Sequence, residues 1–172
     1  MSKNTLLHNP TLIKKSHDKK TFNCGHEALN VFLQKYAIQN DKNNSSRTYV
    51  SLCKATQKVA GYYTLTYGAI SHAGATSSVK KRMPNYPIPV MILARLAVSN
   101  EYQKLGVGSS LLKDALLRTM QASDIAGLRA IIAHAKDVTA KNFYLQYGFE
   151  ESTLDTYHVM LPIQDIELNL RS

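Results

Sequence analysis

The chain predicts an α/β fold with a mixed sheet. Three observations carry that prediction. An apolar run, Met91 to Val98, is followed by a glycine-bearing turn, Gln103 to Gly108, and then by a helical pattern opening at Ser109. A second strand-then-helix succession follows, Arg129 to Ala135 and Thr139 to Tyr147. Repeated strand–helix alternation demands a crossover unit with parallel strands. Earlier in the chain, Thr48 to Cys53 and Val59 to Tyr67 are β-rich runs around Thr56-Gln57-Lys58, the pattern of an antiparallel hairpin.

The remaining elements fall into order around these. Leu12 and Ile13 begin a short strand after a polar tail. Asn23-Cys24-Gly25 offers a turn before a helix over His26 to Gln39, whose Leu29, Phe32, Leu33 and Tyr36 recur at i, i+3, i+4 and i+7 and are expected to face inward. Ser71 to Pro89 is rich in Ser, Thr, Gly, Lys and Pro and reads as a surface loop stiffened by Pro84, Pro87 and Pro89. The strand from Val90 to Val98 is apolar except for Arg95, the composition of a central strand covered on both faces. Leu111, Leu112, Ala115 and Leu116 give the next helix its inward stripe. Gly148 is suited to end the second helix in the left-handed conformation. Thr156 to Leu161 is a last strand, and Pro162 starts a short helix with Ile163, Ile166 and Leu170 inward.

A length of 172 residues with 44% hydrophobic composition supports one core, and residues 1–172 read as a single domain. No apolar run approaches the roughly 20 residues of a membrane span, and Met1 to Asn9 is polar, so a cytoplasmic protein without a membrane partner is expected. Cys24 and Cys53 have no C-x-x-C pairing and the histidines have no ligand spacing, so neither a disulfide nor a metal site is expected. The formal net charge of +9 implies an anionic partner: nucleic acid, a phosphorylated cofactor or an acidic protein. Basic residues bunch at Lys14-Lys15, Lys19-Lys20 and Lys80-Lys81-Arg82.

At Gln103-Lys104-Leu105-Gly106-Val107-Gly108, the glycines remove Cβ atoms where a backbone must approach something closely, and the first amides of the helix that follows have no intrahelical acceptor. Together with the positive end of the helix dipole they suit a phosphate or pyrophosphate. A tight turn without a ligand is the plainer alternative. Arg95 reads either as a cationic contact to a cofactor or RNA or as half of a buried ion pair. His134 reads as a hydrogen-bonded core histidine rather than a base.

Met91 to Val98, the Q-x-x-G-x-G turn and Asn142-Phe143-Tyr144 with Gly148-Phe149 together resemble the GNAT superfamily of acyl-CoA N-acyltransferases. The resemblance implies a central sheet whose middle strands splay apart and acetyl-CoA as cofactor. It places the cofactor on the main chain of Leu96, Ala97 and Val98, on Gln103, Lys104, Leu105, Gly106, Val107, Gly108 and Ser109, and on Asn142. Tyr144 matches the tyrosine that donates a proton to the departing thiolate, the alternative for it being a core aromatic.

Phe22-Asn23-Cys24-Gly25, Arg47-Thr48-Tyr49-Val50, Val59-Ala60-Gly61-Tyr62-Tyr63, Pro87-Ile88-Pro89 and Leu93-Ala94-Arg95-Leu96-Ala97-Val98 bring the chain closer to one branch, the acetyltransferase toxins of bacterial type II toxin–antitoxin modules. That resemblance implies a homodimer that acetylates the α-amine of aminoacyl-tRNA and is neutralised by a ribbon-helix-helix antitoxin. Lys80, Lys81, Arg82 and Arg95 are the tRNA-binding candidates. Leu93 to Val98 contains no carboxylate to serve as a base. An α-amine with a pKa of about 7.7 is roughly 500-fold more deprotonated at neutral pH than a lysine amine of about 10.4, so it needs less help. Acetylation of a small amine, a protein N-terminus or a lysine is a second reading, and a non-catalytic basic RNA-binding module a third.

Overall fold

A computed structural model describes Leu6–Arg171; the polar reading of Met1 to Thr5 lies outside the described residues. In chain order the elements are β1 (Thr11–Leu12), the helix α1 (residues 27–42), β2 (Arg47–Leu52), β3 (Val59–Ile70), α2 (Ser77–Lys80), β4 (Ile88–Val98), a 3-10 turn (Asn100–Tyr102), α3 (Val107–Ile125), β5 (Ala130–His134), α4 (Val138–Leu145), β6 (Glu150–Glu151), β7 (His158–Pro162) and α5 (Ile163–Arg171). The strands form one seven-stranded sheet in the order β1-β2-β3-β4-β5-β7-β6. The β1–β2, β2–β3, β5–β7 and β6–β7 pairs are antiparallel and β4–β5 is parallel, which makes the sheet mixed. No described helix is long and apolar enough to cross a membrane.

The described chain separates into two compact units. One runs through Thr66 and takes up again over Ala94–Ala115; the other is Tyr67–Leu93 with the chain from Leu116 onward. In the first unit, α1 covers β2 and β3 over a core of Phe22, Phe32, Leu33, Ala37, Val50 and Tyr62. The buried hydroxyl of Tyr62 donates to the Leu29 carbonyl at 2.7 Å, so that large ring enters the core without an orphaned polar atom. Gly61 is needed on β3: a Cβ there would stand 2.9 Å from Leu111 Cδ1 and 3.1 Å from the Ala97 carbonyl oxygen, so its bareness lets α3 close on the strand.

α1 corrects the expectation for Tyr36. The helix is made of an α segment, Glu27–Val31, a π segment, Phe32–Tyr36, and a second α segment, Ala37–Lys42. Within it the Ala37 amide donates to the Phe32 carbonyl, an i→i+5 bond that widens one turn by a residue. The inward stripe slips accordingly, leaving Ala37 1% exposed and Tyr36 55% exposed.

In the second unit, Ala75, Val79, Ile88, Val90, Ala130, Ile132 and Met160 form the core. The segment expected as loop contains α2, whose Val79 is fully buried. Ile166 of α5 is buried as expected, and Ile163 and Leu170 are half-buried. The parallel ladder runs from Val90↔Ala130 to Leu93↔Ala133, while β4 itself continues to Val98. The ladder ends at Leu93↔Ala133, one residue before β5 itself ends at His134.

Candidate active site

The turn Gln103–Gly106 is exposed at Gln103, Lys104 and Leu105 and leads directly into α3 at Val107. Lys104 has φ 63 and Gly106 φ 76, two left-handed residues close together that curl the backbone into a concave nest. For Lys104 this conformation is uncommon, and strain of that kind gathers at ligand clamps. The amides of Val107, Gly108 and Ser109 belong to the first turn of a 19-residue helix and have no intrahelical acceptor. The first intrahelical acceptor is the Gly106 carbonyl, which takes the Ser110 amide at 3.2 Å and the Ser109 hydroxyl at 3.0 Å. No acidic side chain stands in the first turn of α3 to compete with an anion. Donor amides, a positive dipole end and the Lys104 cation fit a pyrophosphate.

Gln103 has a different task from its neighbours. Its side-chain amide donates to the carbonyls of Cys24 at 3.2 Å and Val98 at 2.9 Å and to Asn100 Oδ1 at 3.1 Å, so the donor braces the turn. The Asn100 amide in turn donates to the Asn23 carbonyl at 2.8 Å. Asn23-Cys24-Gly25, with Gly25 at φ 88 and the Cys24 amide bonded to Asn30 Oδ1 at 2.9 Å, is thus the platform on which the glycine turn rests. Leu96 and Val98 are half-buried and Ala97 is buried beside them. Arg95 is half-buried, and its guanidinium carbon lies 3.6 Å from the Phe32 ring centre. That cation–π contact offsets part of the cost of taking the charge out of water. Glu101 lies in the exposed 3-10 turn. Both cysteines are free thiols and buried.

In the second unit, α4 is capped by Asp137, whose carboxylate accepts the Ala140 amide at 2.7 Å. It places Tyr144 inward at 7% exposure, with ring centres of Phe143 and Phe149 each 5.3 Å away. Gly148, at φ 86, turns the chain so that Phe149 can return onto Tyr144. Burial drives the Tyr144 phenol well above its ordinary pKa, so the group keeps its proton. Asn142 is exposed on the same helix.

Lys81 and Arg82 are exposed and Lys80 half-buried, at and just after the end of α2. Arg129, which carried no functional signal in the sequence, holds this stretch. Its Nε donates to the Val79 carbonyl at 2.8 Å, and one terminal nitrogen donates to the carbonyls of Ser78 at 3.2 Å and Lys81 at 3.0 Å. A guanidinium fork thereby caps α2 and fixes the backbone that presents Lys81 and Arg82.

His134 is not the core histidine expected. As the last residue of β5 its side chain is 64% exposed, and Nε2 lies 3.8 Å from Asp155 Oδ2. β5 is buried on both faces through Ala133, and His134 shares its face with the buried Ala130 and Ile132; it is exposed because it is the strand's last residue.

A family model described as the acetyltransferase (GNAT) domain matches residues 45–151. The chain belongs to the GNAT acetyltransferases, a family whose acyl donor is acetyl-CoA. It is 40% identical over 156 residues to a tRNA-acetylating toxin of Mycobacterium tuberculosis (strain ATCC 25618 / H37Rv), covering 91% of this chain and 92% of that protein. Among solved structures it is similar to AtaT complexed with acetyl-methionyl-tRNAfMet, with a TM-score of 0.86, 28% identity and coverage of 94% of this chain and 98% of that one. It is also similar to a tyrosine-to-phenylalanine mutant of the AtaT toxin bound to the C-terminus of the antitoxin AtaR and acetyl-CoA, with a TM-score of 0.80, 27% identity and coverage of 96% and 99%.

Proposed function

We propose that this acetyltransferase is a toxin that moves an acetyl group from acetyl-CoA to the α-amine of an aminoacyl-tRNA and so blocks translation. The observation that carries the reading is the 40% identity, along nearly the whole of both chains, to a tRNA-acetylating toxin. That likeness runs along 91% of this chain, far beyond the cofactor turn common to the wider family. The charge of +9 favours a polyanionic acceptor over a small amine or a protein lysine. The acetyltransferase family itself disfavours a non-catalytic RNA-binding module.

Acetyl-CoA, when bound, supplies an activated acetyl thioester. The amides of Val107, Gly108 and Ser109, with Lys104 and the backbone of Leu105 and Gly106, bind its pyrophosphate; Gln103 keeps them in place. The β4 main chain over Leu96, Ala97 and Val98 lies beyond the last rung of the β5 ladder and is the edge to which the pantetheine arm pairs, with Asn142 a further contact. The Tyr144 hydroxyl would hold the proton that a leaving thiolate needs, and the proton shed by the attacking amine would restore it. Lys80, Lys81, Arg82 and Arg95 contact the tRNA. Leu93 to Val98 offers no carboxylate base, so the amine arrives largely unassisted. The whole of residues 1–172 acts as one domain in the cytoplasm, as a homodimer. A cell that keeps such an enzyme must hold it inactive, and a ribbon-helix-helix antitoxin with an acidic, folding-on-binding segment suits a surface of this charge.

The pH dependence tests the division of labour. Deprotonation of the amine makes kcat/KM rise with pH through about 7.7 and then level off. Because burial raises the Tyr144 phenol above its ordinary value, the acid stays protonated and no falling limb occurs below pH of about 10. Steady-state rates on charged tRNA between those limits read this directly. A decline beginning near neutrality would remove Tyr144 from the acid role.

A further inference from the structure

We propose that His134, Asp155 and His158 form a binding site for a zinc-type divalent transition-metal ion at the carboxyl end of β5. Asp155 precedes β7, while His134 and His158 are directly opposite each other in the antiparallel β5–β7 register. Residues so paired project from the same face of a sheet, and the two ring centres are 4.4 Å apart. Asp155 Oδ2 lies between them, 3.8 Å from His134 Nε2 and 3.5 Å from His158 Nδ1. The three donor atoms all fall within 4.8 Å of one another.

The carboxylate is oriented by its own loop. Asp155 Oδ1 accepts the Tyr157 amide at 2.9 Å, leaving Oδ2 for the imidazoles, and the Asp155 carbonyl accepts the His158 amide at 3.0 Å. The Ala135 amide then donates to the Tyr157 carbonyl at 2.8 Å, tying the loop to the end of β5. A carboxylate held by outer hydrogen bonds is the usual support of a metal ligand.

Two imidazoles and a carboxylate suit Zn2+, Ni2+ or Cu2+, whereas Mg2+ and Ca2+ take oxygen ligands. In a tetrahedral site with metal–ligand bonds of about 2.0–2.1 Å, donors stand about 3.3 Å apart. The present separations close to that value by side-chain rotation, which is available because His134, Asp155 and His158 are 64%, 42% and 44% exposed at their side chains. Exposure also leaves the fourth position to water or to a substrate group. The site lies one residue past Ala133, the last β5 residue on the parallel ladder, so an ion there would clamp the end of β5 to the 155–158 turn. The inference does not depend on the identity of the acyl acceptor.

Calorimetric titration of Zn2+ into the full-length, untagged protein tests it, with Co2+ absorption as a second readout. The wild type binds one Zn2+ per chain, and Co2+ gives the visible bands of a low-coordinate nitrogen–oxygen site. His158→Ala weakens binding at least tenfold, and His134→Ala with His158→Ala abolishes it while circular dichroism stays unchanged, since His134 is exposed and His158 only half-buried. If the double variant misfolds, His134→Gln with His158→Gln replaces it. Absence of saturable Zn2+ binding by the wild type, or an unaltered isotherm in a folded double variant, overturns the proposal.

Discussion

Tyr144→Phe keeps the affinity for acetyl-CoA and lowers turnover by roughly 10² to 10⁴, the range for loss of one positioned proton donor. The ring remains to fill the space between Phe143 and Phe149, and only the hydroxyl is removed. The fold therefore stays intact, and the loss appears in kcat. Toxicity in the host falls with it. Steady-state kinetics and calorimetry on the same preparation separate the two constants. Wild-type turnover would make Tyr144 a packing residue and send the acid role elsewhere.

Gly108→Val weakens acetyl-CoA binding by roughly a hundredfold or more, because a branched side chain then stands over the amides that receive the pyrophosphate. Gly108 is the cleaner of the two glycines to change. It sits in the first turn of α3 without a positive φ, whereas Gly106 at φ 76 would add backbone strain of its own. Gly106→Val should lose binding too, with a lower melting temperature. An unchanged dissociation constant in folded Gly108→Val would remove the phosphate-cradle assignment.

Much of the turn was legible in the sequence because its signals are local. A glycine where φ is positive, an apolar strand before it and a 3.6-residue stripe after it each follow from backbone sterics or burial. Tyr144 was singled out only through the resemblance of Asn142-Phe143-Tyr144 with Gly148-Phe149 to the acetyltransferase family, since an aromatic there also reads as core. What the sequence hid depends on partners far along the chain. The π turn in α1 breaks the period on which the inward assignment of Tyr36 rested, and no single residue announces it. Arg129 reads as an ordinary strand-opening arginine until the fold brings the Ser78, Val79 and Lys81 carbonyls to it. His134, Asp155 and His158 have no ligand spacing, because a cross-strand register and a turn assemble them. α2 was masked by a Ser-, Thr- and Pro-rich composition that also describes loops.

Whether the acyl acceptor is the α-amine of a charged tRNA can be measured directly. Labelled acetyl-CoA is incubated with the protein and total aminoacyl-tRNA, and the amino acids released by ester hydrolysis are identified by mass. The label is expected on N-acetyl amino acids freed from tRNA, and it disappears when the tRNA is deacylated beforehand. Active transfer of label to proteins or small amines alone, with charged tRNA left unlabelled, would contradict that acceptor.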